Sequence, residues 1–176
     1  NGWTSLEESQ ESLIKIKHHL TMTTGLDYLV DNLNCTTPNC LTYKNTPGTN
    51  WFYHNATYTL LKDVIENSSE TTYNDFTNQK VKMKIGMGGS WIQSNYNNIY
   101  WSTALDMARF GLLILNEGVW DNQVILSDTN YFSNMVNTSQ QINESYGYLW
   151  WLNGKDSLIP PGITFPIQTS LASNAP

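Results

Sequence analysis

Residues 103–116 read TALDMARFGLLILN and predict the clearest helix of the chain. Four apolar side chains recur at helical spacing, and we expect them to face the core: Leu105, Ala108, Leu112 and Leu115. Thr103 and Asp106 are spaced as a capping box, and Gly118 follows where the helix should end. Arg109 is the only arginine of the chain, which favours an ion pair with Asp106 or with an acid from a loop.

The helical spacing of apolar residues is less regular on either side of this helix. It predicts helices over 56–66, 72–84 and 127–138, and a short helix or a strand-to-helix junction over 14–22. Asn55 is placed to cap the first of these helices, and Thr72 and Asp75 are spaced as a capping box at the start of the second. An aromatic, Asn-rich loop is expected over 91–101 and an aromatic strand over 146–152. We therefore predict a mainly α fold with a small β portion, in which residues 1–176 are a single domain or a fragment of one.

Composition narrows the range of functions. The chain has 176 residues and a formal net charge of −6, and charged residues make up 14% against a usual share of about 25%. No basic patch could follow a phosphate backbone, so nucleic acid is not an expected partner. The longest apolar run, residues 110–115, is far shorter than the ~20 residues of a membrane-spanning helix, so no span is expected. Both ends of the sequence are interpreted as cut.

Cys35 and Cys40 are the only cysteines, and a Pro-Asn turn signal lies between them. The spacing permits a local disulfide, whereas two free thiols, one of them buried, are the alternative. A disulfide is favoured and indicates a periplasmic or secreted protein. The three histidines do not have ligand spacing to this pair, so no metal site and no cofactor are expected.

Tyr53 and Asn55 lie directly before the predicted helix over 56–66. A tyrosine at a helix entrance is close to the positive end of the helix dipole, which favours the phenolate form. Such a residue can act as a general base when a cation is near. From the spacing alone, a core tyrosine followed by a capping asparagine is the favoured interpretation.

Four stretches in order resemble the serine β-lactamase-like hydrolases. That superfamily includes class C β-lactamases, D-Ala-D-Ala peptidases, related esterases and nylon-oligomer hydrolases. The similar stretches are IKHHLTMTTGL at 16–26, PGTNWFYHNATYTLL at 47–61, STALDMARFGLLILNEGVW at 102–120 and YGYLWW at 146–151. The resemblance implies the helical region of an α+β fold in which helices are set against an antiparallel sheet.

The resemblance also implies a mechanism. In that family the serine of a Ser-x-x-Lys motif attacks the substrate, and its lysine and a Tyr-x-Asn tyrosine share the proton that the serine loses. Tyr53 and Asn55 match this second motif. We expect the chain to lack both Ser-x-x-Lys and the third motif, Lys-Thr-Gly or His-x-Gly, and so to be inactive alone. The implied substrate is a small or peptide-like molecule. Its pocket walls, or else core positions, would be Trp101, Tyr148 and Trp150.

Two functions remain open from the sequence. The chain could be the central part of a serine hydrolase that cleaves an ester, an amide or a lactam. The alternative is a non-catalytic homologue that binds a cell-wall or protein ligand. The oligomeric state is not predicted.

Overall fold

A computed structural model describes residues 2–169, which form two compact units. The first unit contains the described residues up to Leu61 and from Ser133 onward, and the second unit is Lys62–Phe132. Helices predominate and every strand is short, which confirms the prediction of a mainly α chain with a small β portion. Among residues 2–169, no helix combines the length and apolar character needed to cross a bilayer.

The first unit is built from short elements around two apolar clusters. Its elements are α1 (Glu8–Glu11), α2 (Ile16–Leu20), a 3₁₀ turn (Pro38–Cys40), α3 (Asn55–Thr59) and the strand pair β5 (Ser157–Leu158) and β6 (Ile167–Gln168). One cluster joins Met22, Trp51, Tyr146 and Ile159, and the other joins Leu26, Leu41 and Ala56. The segments on both sides of Tyr53 are therefore anchored in the core.

The helix predicted over 56–66 differs from the structure in two ways. It is divided at Leu60 into α3 and α4 (Leu61–Ser69), and it runs three residues further. The prediction that Asn55 caps it is wrong. His54, in an extended conformation, occupies the N-cap position, and Asn55 is already the first helical residue.

The second unit begins with a continuous helical run. This run comprises α5 (Tyr73–Thr77), a π-helical segment (Asn78–Lys82) and α6 (Met83–Ile85). Thr72 caps it by accepting a hydrogen bond from the backbone N–H of Asp75 at 3.1 Å, as the sequence predicted.

Residues 90–101 form a β-hairpin, so the predicted loop over 91–101 is wrong. Strands β1 (Ser90–Ser94) and β2 (Asn97–Trp101) pair antiparallel around a two-residue turn. Asn95 has a φ of 53°, a conformation that asparagine tolerates well in such turns. The Asn74 side chain accepts from the backbone N–H of Trp91 and donates to its carbonyl, so it replaces a strand partner at the edge of β1.

Helix α7 (Ala104–Leu115) confirms the central prediction, with Thr103 as N-cap and a complete capping box with Asp106. Arg109 pairs with Asp106 at 3.2 Å, as expected. The predicted core face is wrong, however, because Leu113 is fully buried whereas the four predicted residues are exposed in the described chain: Leu105, Ala108, Leu112 and Leu115.

A tight hairpin follows, with β3 (Val119–Trp120) paired to β4 (Gln123–Val124). Helix α8 (Thr129–Val136) then confirms the helix predicted over 127–138.

The predicted strand over 146–152 is wrong. Tyr146 and Trp151 form an isolated antiparallel bridge, and the chain between them reverses through Leu149, whose φ is 55°. The backbone N–H of Gly147 closes this turn on the Trp150 carbonyl at 2.8 Å. The aromatic segment is therefore a turn that presents Tyr146 and Trp151 on the same side.

Candidate active site

An extended segment holds Tyr53 between two fixed points. The backbone N–H of Phe52 donates to the Met22 carbonyl at 3.1 Å, and that of Ala56 donates to the Leu33 carbonyl at 2.9 Å. Tyr53 lies between these bonds, directly before the His54 cap. Its backbone position is thus set by the core of the first unit.

The Tyr53 ring belongs to an aromatic cluster made of Trp51, Tyr53, Tyr58, Tyr146 and Trp151. The ring stacks on Trp151 at 5.7 Å between centroids, and it meets Tyr146 edge to face at 6.3 Å. Such contacts stabilise an aromatic pair beyond the area that it buries. The cluster therefore holds the ring in place, while the side chain stays partly open to solvent.

Burial raises the pKa of the Tyr53 phenol above its usual range. No hydrogen bond of its hydroxyl to another described residue is seen. This direction of the pKa shift is opposite to the one expected from a helix entrance, because burial of the ring disfavours the charged phenolate. The phenol stays protonated at neutral pH unless a cation is brought beside it.

Asn55 is held by the loop that precedes the cysteine pair. Its side-chain N–H donates to the Asn34 side-chain oxygen at 2.8 Å. That bond uses one of its two N–H donors and leaves the Asn55 side-chain oxygen without a partner among residues 2–169. Asn55 thus keeps hydrogen-bonding capacity for a second group.

The cysteine pair supports this loop. Cys35 and Cys40 form a disulfide, which confirms the favoured prediction over two free thiols. Cys35 directly follows Asn34, so the closed loop restrains the residue that contacts Asn55.

His54 separates the two motif residues and is itself buried, with 3% of its surface exposed. Its Nε2 has no hydrogen-bond partner among the described residues, and burial lowers its pKa to about 4. The ring borders a small cavity that is also lined by Gly25, Tyr28 and Phe52. His54 is therefore a neutral core histidine at physiological pH.

The predicted pocket residues belong to two different units. Trp101 ends β2 in the second unit, and 64% of its surface is exposed. Tyr148 and Trp150 are half-buried in the turn that follows Tyr146. Their roles in substrate binding stay predictions.

Sequence reasoning missed Trp151, which is the ring stacked on Tyr53. Strand alternation from Tyr146 selects Tyr148 and Trp150 and excludes Trp151. In a turn, side chains do not alternate as they do in a strand, so Trp151 can face the same side as Tyr146. The only sequence feature that pointed to such a contact was the clustering of aromatic residues around Gly147.

The spacing Ser-x-x-Lys does occur once, as Ser12-Leu13-Ile14-Lys15, so the expectation that the chain lacks it is wrong. The Ser12 hydroxyl donates to the Ser9 carbonyl at 3.1 Å, and the Lys15 ammonium donates to the Ser12 carbonyl at 2.8 Å. Both side chains are exposed, and Ser12 follows the end of α1 rather than beginning a helix. No lysine amine faces the Ser12 hydroxyl here, so this pair lacks the arrangement of an activated nucleophile.

No cluster of three or more histidine, cysteine or acidic side chains that could hold a metal is found within residues 2–169.

Comparisons with known proteins agree on one family. The Beta-lactamase family model matches residues 3–166. No curated protein matches the chain significantly. A solved structure described as a "putative beta-lactamase" from Bacteroides dorei DSM 17855 aligns with a TM-score of 0.65 and 18% identity, covering 78% of this chain and 52% of that one. The chain thus spans about half the length of that protein, and at this identity the likeness concerns the fold.

Proposed function

Because the chain belongs to the beta-lactamase family, we propose that it supplies the Tyr-x-Asn part of a serine hydrolase. The reaction is acyl transfer from an ester, an amide or a lactam through an acyl-enzyme. Tyr53 relays the proton of the nucleophilic serine, and Asn55 hydrogen-bonds the substrate and the lysine that follows that serine.

The placement of Tyr53 is the observation that supports this proposal most. Its ring is fixed by four aromatic neighbours, whereas its hydroxyl is left without a hydrogen bond to any described residue. A tyrosine that served only as core would gain stability from a hydroxyl partner. A fixed ring with an available hydroxyl suits a residue that exchanges a proton with a group supplied from elsewhere.

The protonation state of the Tyr53 phenol indicates which group has to approach its hydroxyl. Burial keeps the Tyr53 phenol protonated, so a lysine ammonium has to approach the hydroxyl and lower its pKa. The phenol proton is then lost to water, which leaves a phenolate that can accept the proton of the serine. The serine oxygen then attacks the carbonyl carbon and its proton passes to the Tyr–Lys pair. That proton leaves with the departing group, and water releases the acyl group in a second attack.

The same proposal includes export to an oxidising compartment, periplasmic or extracellular. The Cys35–Cys40 disulfide supports it, because such bonds persist where thiols are not kept reduced. The substrate is a small or peptide-like molecule.

A tyrosine pair tests the role of Tyr53. In the natural protein, Tyr53→Phe should lower turnover of a chromogenic ester by roughly 10²–10⁴-fold, the loss expected when a general base is removed. Tyr58→Phe is the matched control, because Tyr58 lies in the same cluster, 6.1 Å from the Tyr53 ring, and should retain activity within about threefold.

Two results would contradict the proposal. Equal activity losses in the two variants would remove Tyr53 from the chemistry. Failure of the natural protein to react with a fluorophosphonate probe would instead favour the non-catalytic alternative, a module that binds a cell-wall or protein ligand.

A further inference from the structure

The second unit contains an apolar cavity that the proposed hydrolysis does not use. Its volume is about 240 Å³, and its surface is almost entirely apolar. All of the residues that line it belong to the second unit, whereas Tyr53 and Asn55 belong to the first. The lining is formed by Thr77, Val81, Lys82, Met87, Trp91, Tyr100, Met107 and Phe110.

Three lining residues carry a hydroxyl or an ammonium, and each of these groups is bonded to the backbone. The Thr77 hydroxyl donates to a carbonyl one helical turn earlier at 2.8 Å, and the Tyr100 hydroxyl donates to the Gly88 carbonyl at 2.6 Å. The Lys82 ammonium donates to the Gly89 carbonyl at 2.8 Å and lies over the Tyr100 ring, 5.7 Å from its centre. Only the apolar parts of these three side chains are therefore left to line the cavity.

Aromatic rings and thioethers form most of the remaining wall. The rings of Trp91 and Tyr100 lie 5.0 Å apart at an interplanar angle of 52°, and Phe110 supplies a third ring. Met87 and Met107 add flexible, polarisable side chains, which adapt to different shapes and make favourable contacts with aromatic groups. A wall of this kind recognises a ligand by shape and apolar contact.

The helical backbone widens beside the cavity. The π-helical segment over Asn78–Lys82 lies between α5 and α6 and contributes Val81 and Lys82 to the lining. Isolated π-helical turns are rare and occur frequently at functional sites. Their presence here supports a ligand independently of the cavity volume.

We propose that this cavity binds a neutral apolar small molecule, such as a benzene ring that carries a short alkyl chain. An engineered apolar cavity of about 150 Å³ already binds benzene, so this larger one has room for the ring and the chain. A hydroxyl or carboxylate on the ligand would lose its hydrogen bonds to water and find almost no polar surface in the cavity. The site therefore selects against polar groups. This inference does not rest on the proposed hydrolase function.

Ethylbenzene and benzyl alcohol test this selectivity, because they have the same number of non-hydrogen atoms and differ by a methyl group against a hydroxyl. Binding of each to the natural protein is measured by titration calorimetry. We expect saturable binding of ethylbenzene and an affinity for benzyl alcohol that is at least about tenfold lower, as an unpaired hydroxyl predicts. Equal affinities, or no saturable binding of ethylbenzene, would overturn the proposal.

Methionine methyl groups locate the bound molecule without any substitution. In the natural protein labelled at these methyl groups, ethylbenzene should shift the NMR signals of Met87 and Met107, which line the cavity. The Met83 signal should not move, because Met83 lies outside the lining and is 71% exposed. A larger shift at Met83 would overturn the proposal. It would also be overturned if protein concentration alone shifted the Met87 and Met107 signals, since a second copy of the chain would then occupy the cavity.

A matched pair of substitutions tests the cavity volume. Val81→Phe fills part of the cavity and should weaken ethylbenzene binding at least about tenfold. Val124→Phe is the control, because Val124 belongs to the same unit, lies outside the lining and is 64% exposed, so it should bind ethylbenzene as the natural protein does. Circular dichroism checks that both variants fold. Equal ethylbenzene affinity in the two folded variants would overturn the proposal, and the methyl signals decide the matter if Val81→Phe does not fold.

Discussion

Gly25 lies five residues after the end of α2, where the chain contacts the backbone of Asn45. Its φ is +76°, and its carbonyl accepts backbone hydrogen bonds from both Lys44 and Asn45. A Cβ at this position would lie 2.1 Å from the backbone oxygen of Asn45, closer than any real contact. The position therefore requires glycine for two independent reasons, conformation and space.

Gly154 has the conformational requirement for glycine without the steric one. It has nearly the same φ, +75°, but a Cβ there would have no neighbour within 4 Å. Gly154→Ala should lower the free energy of unfolding by about 1–2 kcal/mol, the cost of left-handed backbone for a residue with a Cβ. Gly25→Ala should lower it by more than about 3 kcal/mol, because the Asn45 backbone must also move. Urea unfolding measures both free energies. Equal losses of unfolding free energy in the two variants would show that the Asn45 backbone moves away without an energetic cost.

His54 makes stability depend on pH in a defined window. Its pKa is about 4 in the folded chain, against an ordinary value of 6.5, because the buried ring resists charging. Between these values the unfolded chain binds more protons than the folded one. Stability is therefore lost as the pH falls from about 6.5 to about 4, by about 3 kcal/mol from this group.

Replacement of His54 by phenylalanine tests this linkage. His54→Phe should remove most of that pH dependence, so the melting temperatures at pH 4.5 and pH 7 should differ less than they do in the natural sequence. The two proteins are compared by the slope of melting temperature against pH, because the carboxylates titrate in both of them. An unchanged slope would mean that the ring is hydrated in the folded state.

At the scale of elements, α7 shows how a helical pattern can be right while its buried face is wrong. Leu113 is fully buried, whereas Leu112 is 46% exposed in the described chain. Leu113→Ala should therefore destabilise by about 2–5 kcal/mol, and Leu112→Ala by clearly less. Thermal unfolding of the two variants makes the comparison, with the neighbouring leucine as the matched control. A larger destabilisation by Leu112→Ala than by Leu113→Ala would show that the predicted face, which includes Leu112, is the packed face of α7.

The sequence predicted elements well where local chemistry determines them. Thr103 and Asp106 cap α7 through their own side chains, and Thr72 does the same at α5, so these helix starts were readable. The hairpin over 90–101 was not readable, because it depends on a distant partner, Asn74, which bonds the backbone of Trp91. The buried face of α7 was mispredicted for the same reason. Periodicity identifies a row of apolar side chains on a helix, but it does not show which face other elements pack against.

The candidate site was predictable to a similar extent. Tyr53 and Asn55 were found through a motif that is continuous in the chain. Trp151 was missed because its contact with Tyr53 crosses about a hundred residues and depends on the turn at Leu149. The Ser-x-x-Lys spacing at Ser12 and Lys15 was overlooked, and the structure shows that this spacing does not place the lysine amine against the serine hydroxyl.

At the scale of the whole molecule, the chain divides into two compact units, and each contains a residue that tests its stability. Leu113 is buried in the second unit, and Gly25 stands against Asn45 in the first. Cooperative units often open separately in hydrogen exchange. Leu113→Ala should therefore speed amide exchange mainly within Lys62–Phe132, and Gly25→Ala mainly in the first unit. Mass spectrometry of peptides resolves the two regions, and a uniform increase in both variants would show that the units unfold together.

The aromatic cluster around Tyr53 also has an optical consequence. The indole rings of Trp51 and Trp151 lie 5.9 Å apart at an interplanar angle of 69°, and the rings of Tyr53 and Tyr146 contact both of them. Chromophores this close exchange excitation energy and couple their transitions in the near ultraviolet. We expect a molecule that reaches the Tyr53 hydroxyl to change that coupled emission. The first unit thus carries an intrinsic fluorescent reporter at its candidate catalytic residue, and occupancy can be followed there without an attached dye.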